Sequence, residues 1–242
     1  MRTKLISLSL VLLMGMSVWA QEPVTVSVYE DCSKNGKTED IRPSGEENGH
    51  TWVNLGLSVR WASCNIGATA PEDYGNYYAW GETETKADYS WATYKYANGA
   101  YDKLTKYCND ASYGDDGFTD DKTTLDPEDD AAHVIWGGNW RMPTDAEWTE
   151  LRNNCTWTWT TQNGVNGYLV TSEVNSNSIF LPAAGYRSDT DLYFADSYGF
   201  YRSSSRLEAR PDHAWVVCFL SDGVGWGYFS RSYGQSVRPV CP

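Results

Sequence analysis

The chain carries few side chains of the kind that usually do covalent chemistry. Its three histidines, His50, His133 and His213, lie in no nucleophile or zinc-protease motif, since neither G-x-S-x-G nor H-E-x-x-H occurs. Carboxylates are the abundant functional group. "DDGFTDD" (residues 115–121) and "DPEDD" (residues 126–130) offer hard oxygen ligands, so calcium is the metal they would suit. Neither stretch has the D-x-[DN]-x-[DN]-G spacing of an EF-hand loop, and the plainer expectation is a solvated acidic loop that also caps helices. Adjacent acids such as Asp129 and Asp130 do not by themselves make the opposed pair of a glycosidase. The cysteines, Cys32, Cys64, Cys108, Cys155, Cys218 and Cys241, are widely spaced with no C-x-x-C, so a zinc site is not expected. These residues point away from an enzyme and require no cofactor.

The plentiful side chains are aromatic: 12 Trp and 17 Tyr in 242 residues. Such rings fill the core of an irregular domain, which is the commoner role for any one of them, or they build glycan platforms and protein hot spots. A formal net charge of −13 repels nucleic acid and anionic lipid heads, which removes both as partners. Residues 1–20, "MRTKLISLSLVLLMGMSVWA", place Arg2 and Lys4 ahead of a short apolar run, with small Val18 and Ala20 before Gln21. That is the pattern of a signal peptide and too short for a good membrane span. The expectation is an exported chain (secreted, periplasmic or on the outer surface) without a membrane span, in which some cysteines pair as disulfides.

The elements that must position these groups follow from pattern. Residues 21–50 read as a strand, "PVTVSVYED", followed by a polar linker, and the domain proper is expected over 51–242. Val53, Leu55, Leu57 and Val59 alternate with polar or small residues, giving one or two short strands. A first helix is expected from Pro127 to Ile135 or Trp136, capped by Asp126 and ended by Gly137-Gly138. A second opens at the capping box of Thr144 and Glu147 and sets Trp148, Leu151 and Cys155 on one face. Beyond it come strands and turns: "TWTWTT", "GYLVTS", "SIFLPA", "AWVVCFL" and "SVRPV". The class is α+β, with two short helices, twisted antiparallel sheets and long loops.

The strand "AWVVCFL" is apolar on both faces. Trp215, Val217 and Phe219 alternate with Val216, Cys218 and Leu220. Either the strand is central and covered on both sides, or its second face is an exposed apolar patch. In the second case Trp215, Val217 and Phe219 face the core. Val216, Cys218 and Leu220 then join Trp226, Tyr228 and Ser230 in a ligand-binding patch rimmed by Arg202, Arg206, Glu208 and Asp212. Arg238 in "SVRPV" reads as a structural ion pair.

Several stretches together resemble the Fibrobacter succinogenes major paralogous domain family: "VNLGLSVRWASCNIGA", "PEDYGNYYAWGET", "LDPEDDAAHVIWGGNWRMPTDAEWTEL", "IFLPAAGYR" and "YGQSVRPV". That family is similar to the formylglycine-generating enzyme group, and both look like variants of the C-type-lectin fold. The resemblance implies that the first and last strands meet and that a loop-rich half carries the ligand surface. It also implies kinship with targets of diversity-generating retroelements, whose C-terminal codons are rewritten. The family pattern "YWSSS…AW-x-V-x-F-x-S" stands here as "YRSSS…AWVVCFLS", with Arg202 where relatives have Trp. The resemblance favours the exposed-patch reading, with a protein or glycan ligand at the cell exterior. A cell-surface carbohydrate-binding module is the alternative, although the lectin tripeptides Glu-Pro-Asn and Gln-Pro-Asp are absent. An oxidase of the formylglycine-generating kind would need a reactive cysteine pair, and no equivalent pair is recognisable.

Overall fold

The computed structural model describes residues 42–242, so the expected signal peptide, the strand expected in "PVTVSVYED" and Cys32 lie outside the described residues. The first strands are β1 (Ser44–Glu47) and β2 (His50–Val53), a hairpin turned by Asn48 and Gly49 at φ 46° and 80°. Positive φ at both turn positions is what Asn-Gly supplies at low cost. β1 therefore occupies part of the stretch expected to be linker. β3 (Arg60–Ala62) pairs with β2 on one side and with β12 (Val240–Cys241) on the other, which brings the chain's end onto its first strands.

Two helices follow. The expected helix from Pro127 is split: residues 127–129 form a single 3-10 turn, and α1 (Ala131–Trp136) starts only after Asp130. The Asp130 carboxylate accepts from the N–H groups of Ala132, His133 and Met142, so it is the cap that the expectation gave to Asp126. α2 (Asp145–Asn153) has the capping box of Thr144 and Glu147. Trp148 and Leu151 are fully buried in the largest core cluster with Trp61, Tyr201, Val217 and Phe219; Trp148 and Trp61 lie 4.6 Å apart, centroid to centroid. Cys155 joins the same cluster but opens a strand instead of extending the helix.

The remaining sheets are antiparallel, which with the two short helices makes the α+β class. β4 (Cys155–Gln162), β5 (Val165–Ser172) and β6 (Ser178–Pro182) form one meander. β7 (Tyr186–Ser188) and β8 (Asp191–Tyr193) make a small hairpin. β9 (Gly199–Arg206), β10 (His213–Leu220) and β11 (Gly223–Ser230) make the third sheet, with β10 in the middle. All of β9 is buried although it reads "GFYRSSSR". Its polar groups are met from both sides: Trp148 Nε1 and Trp80 Nε1 donate to the carbonyls of Arg202 and Ser203, and Ser205 Oγ donates to Asp145.

Buried Tyr and Arg side chains hold the loops where backbone pairing does not. The hydroxyls of Tyr77, Tyr89 and Tyr94 donate to the carbonyls of Ala184, Tyr77 and Trp80 at 2.6–2.7 Å. Arg231 and Arg238 are fully buried. Arg231 reaches the carbonyls of Lys106, Tyr107 and Pro211 and the hydroxyl of Tyr94, with its guanidinium 4.7 Å from the Trp80 ring. Arg238 donates to Asn65 Oδ1 and to the carbonyls of Ala62 and Phe180, so it is structural but not the ion pair expected of it. A planar fork of five donors can tie several strands of loop at once, which a lysine cannot.

Asp129 anchors the same region. Its buried carboxylate accepts from Lys95, Lys106, Tyr107 and Tyr96, at 3.1, 2.6 and 2.7 Å for the first three. Burial pushes this carboxyl up, but the bonds from Lys106, Tyr96, Tyr107 and Lys95 outweigh it and hold it at about 2. Other carboxylates of the two acidic stretches are also engaged: Asp126 pairs with Lys106 and Lys122, Asp115 with Lys103, and Asp120 accepts from the N–H groups of Tyr107 and Cys108. Among the described residues no group of three or more His, Cys, Asp or Glu is arranged to hold a metal ion.

Candidate functional site

Both faces of β10 are covered along most of its length, and this corrects the expected patch. Val216 is fully buried, as are Val217 and Phe219. The pairing of β10 with β9 shifts register between Ala214 and Val216, with the extra residues on β9, while β10 pairs with β11 without a break; alternation holds along β10 and Val216 is buried because its face is covered too. Val217 and Phe219 pack in the main core, while Ala214, two residues before Val216, packs with Trp80 and Tyr107. Cys218 and Leu220 are half-buried; Cys218 Sγ is turned to the Gly225 carbonyl, and Leu220 O accepts from Tyr168 OH.

The expected rim is largely interior as well. Arg202 is fully buried, and its Nη2 donates to the carbonyls of Ser230 and Tyr233 at 2.6 and 2.9 Å. With no carboxylate against it, burial pushes its pKa down to about 9. Arg206 is buried against Asn109 Oδ1 and the Lys122 carbonyl. Ser230 is buried, its Oγ 2.9 Å from that of Ser232. Glu208 is exposed, as expected of a rim residue.

What does reach the surface on this sheet is a ridge on the side assigned to the core. His213, Tyr228, Trp215 and Trp226 follow one another along β10 and β11, with centroids 5.7, 6.5 and 5.8 Å apart in that order. Tyr228 is 55% exposed. Trp215 and Trp226 are half-buried and line a shallow groove beside Asp145 and Thr149 of α2.

The ridge ends at an open cleft of about 530 Å³, where His213 is part of the wall. Five rings line it: Tyr89, Trp91, Tyr101, Tyr113 and Tyr233. Its polar side chains include Asp189 at the β7–β8 turn, Arg210 and Asp212 before β10, Ser230 at the end of β11 and Ser232 just after it. Loops far apart in sequence are tied together here. Tyr89 N donates to Asp189 O at 2.7 Å, and Arg187 and Gly234 exchange two backbone bonds of 2.7 and 2.9 Å. Tyr233 stacks on Tyr186 at 5.3 Å, and Tyr101 meets Tyr113 at 6.2 Å. A Cβ on Gly234 would fall 2.5 Å from Tyr89 Cε1, so this ring sits directly on backbone.

The electrostatics of the wall are nearly self-contained. Arg210 grips Asp212 through Nε and Nη2 at 3.0 and 2.8 Å, and His213 Nδ1 lies 3.0 Å from the same carboxylate. Burial pushes the Asp212 carboxyl up, yet His213 and Arg210 outweigh it and hold it below the ordinary range. The Asp189 carboxylate is exposed, with the Ser188 hydroxyl 3.3 Å away.

Of the expected site residues, the structure thus brings Asp212 and Ser230 to the cleft and Trp226 and Tyr228 to the ridge. Arg202, Arg206 and Val216 lie in the interior. Expectation missed Tyr89, Trp91, Tyr101, Tyr113 and Asp189, which the chain brings from distant loops. The five described cysteines are free thiols, so the expected disulfides are not found among them, and burial pushes Cys155 and Cys241 up to about 11. Comparisons of the chain with protein-family models, with curated proteins and with solved structures returned no match.

Proposed function

We propose that the chain is an exported, non-catalytic recognition module that takes its ligand at the cleft and along the adjoining ridge of β10 and β11. The observation that carries this reading is the convergence of five aromatic rings on one concave opening, continuous with a half-exposed row of Trp and Tyr. Concave sites lined by aromatic side chains with a few polar groups are where small ligands and protein anchors are held. Tyr and Trp bring large contact area at little conformational cost, and the backbone ties around Tyr89, Asp189 and Gly234 pre-organise the walls.

The same proposal takes the fold as a C-type-lectin-like variant of the Fibrobacter succinogenes major paralogous type. The pairing of β12 with β3 and the long loop segment between β3 and α1 support it. If the C-terminal region is diversified, rewritten codons would fall on Trp215, Trp226, Tyr228 and Glu208, since replacing Val216 or Arg202 disrupts the interior.

The test is to probe a glycan array and a displayed peptide library with the wild-type chain and with a Trp91→Ser/Trp215→Ser/Tyr228→Ser variant. The reading expects hits that the folded variant loses. Hits that the variant keeps, or no hit in either collection, contradict it.

A further inference from the structure

We infer that the cleft is a subsite for an uncharged saccharide, and that the ridge continues it for longer chains. This rests on the recognition reading above and gives it a ligand class. The argument begins with charge. Asp212, the most buried ionic group in the wall, is already matched by Arg210 at two atoms and approached by His213. An anionic ligand would have to compete with Asp212 for Arg210 and would approach a chain of net charge −13. A cationic ligand would meet Arg210 and His213, and the second carboxylate of the lining, Asp189, which accepts from Ser188, stands in water where an ion pair is worth little.

Hydrogen-bonding capacity points the same way. Donors and acceptors are interspersed: the remaining guanidinium N–H groups of Arg210, the carboxylate oxygens of Asp189, and the hydroxyls of Ser90 and Ser188. They stand among the lining rings, and a ligand with apolar C–H faces and a rim of hydroxyls uses both. A pyranose has that character and carries no charge that needs matching. Neighbouring rings hold the platforms in place: Trp91 meets Tyr94 edge-on at 5.2 Å and 85°, and Tyr101, 50% exposed, meets Tyr113 at 63°. About 530 Å³ falls in the range of small-ligand sites, about 300–1,000 Å³. At the His213 end, Tyr228, Trp215 and Trp226 extend the aromatic surface, each ring turned edge-on to the next.

Isothermal titration calorimetry of the full chain tests this with six-residue oligosaccharides of uncharged glucan, mannan, xylan and chitin type. Hexagalacturonate and hexalysine serve as the charged comparators, and the disaccharide of any binder is titrated beside it. The expected result is binding of at least one uncharged hexasaccharide, tighter than its disaccharide, and none of the charged oligomers. Trp91→Ala and Asp189→Asn should each weaken it tenfold or more while circular dichroism stays unchanged. Tyr228→Ala should weaken the hexasaccharide and leave the disaccharide alone. The inference is overturned if no uncharged saccharide binds, if a charged oligomer binds instead, or if binding survives both cleft variants. Should saccharides fail while peptides selected in the library need Trp91 or Tyr228, the recognition module stands and the ligand class falls. If both collections fail, the recognition reading falls with it.

Discussion

Replacing Asp129 by Asn should unpin the segment that carries much of the cleft. Its carboxylate accepts from Lys95, Tyr96, Lys106 and Tyr107, which flank Tyr101 in the chain, while Arg231 holds the carbonyls of Lys106 and Tyr107 from the other side. In the folded chain its pKa is held at about 2, against an ordinary 3.8. A depressed carboxylate stabilises the fold at pH above the unfolded value, and that contribution is lost as pH falls through the folded value. The gap corresponds to about 2 kcal/mol at neutral pH, lost between about pH 5 and pH 2. The amide also leaves Lys95 without its carboxylate and a buried cluster half-paired, so about 3 kcal/mol or more should be lost at pH 7. Urea unfolding of wild type and Asp129→Asn at pH 7, 5, 4 and 3 measures both effects. Other depressed carboxylates, Asp126, Glu147 and Asp212, contribute to the acid slope of both proteins. Glu147 and Asp212 cancel in the difference between the two curves, which reports Asp129 together with Asp126, its neighbour on Lys106. The difference should be largest at pH 7 and shrink toward pH 3. A variant within about 0.5 kcal/mol of wild type, or a difference that does not change with pH, would refute the reasoning.

Other perturbations separate interior from surface. Val216→Ser should cost about 2 kcal/mol or more by placing an unpaired hydroxyl in a sealed site, whereas Tyr228→Ser should stay within about 0.5 kcal/mol; thermal unfolding compares them directly. Gly234→Ala drives a methyl onto the Tyr89 ring and should cost about 1–3 kcal/mol and weaken ligand binding, read by calorimetry beside wild type. Arg231→Lys keeps the charge but loses the fork that reaches three carbonyls and a hydroxyl, and should cost several kcal/mol in urea unfolding; a neutral result would mean the loops do not depend on it.

The most legible parts of the sequence were those whose signals are local. The capping box at Thr144 and Glu147 and the strands "TWTWTT" and "GYLVTS" needed only short-range pattern. Asn48-Gly49 also marked a hairpin, and attention to that dipeptide would have moved the domain start to β1. The interior of β9 was not legible, because "YRSSSR" is polar by composition and is buried only through partners such as Trp80, Trp148 and Pro143. The face of β10 failed for a related reason. Both of its faces carry apolar residues, and pattern alone does not say that Val216 is buried while Trp215, on the face of Val217 and Phe219, is only half-buried. The cleft is the extreme case, since Tyr89, Tyr113, Asp189 and Tyr233 are adjacent only after four loops have been tied together.

The most direct test of the recognition surface uses the indole N–H signals of a uniformly ¹⁵N-labelled chain, assigned by single Trp→Phe variants and followed while a binder from the array or library is added to saturation. Trp61, Trp80, Trp140 and Trp148 are fully buried and serve as internal references. The account predicts that Trp91, Trp215 and Trp226 shift while those four stay in place. Saturation that leaves Trp91, Trp215 and Trp226 unmoved would place the ligand elsewhere on the molecule and contradict the account.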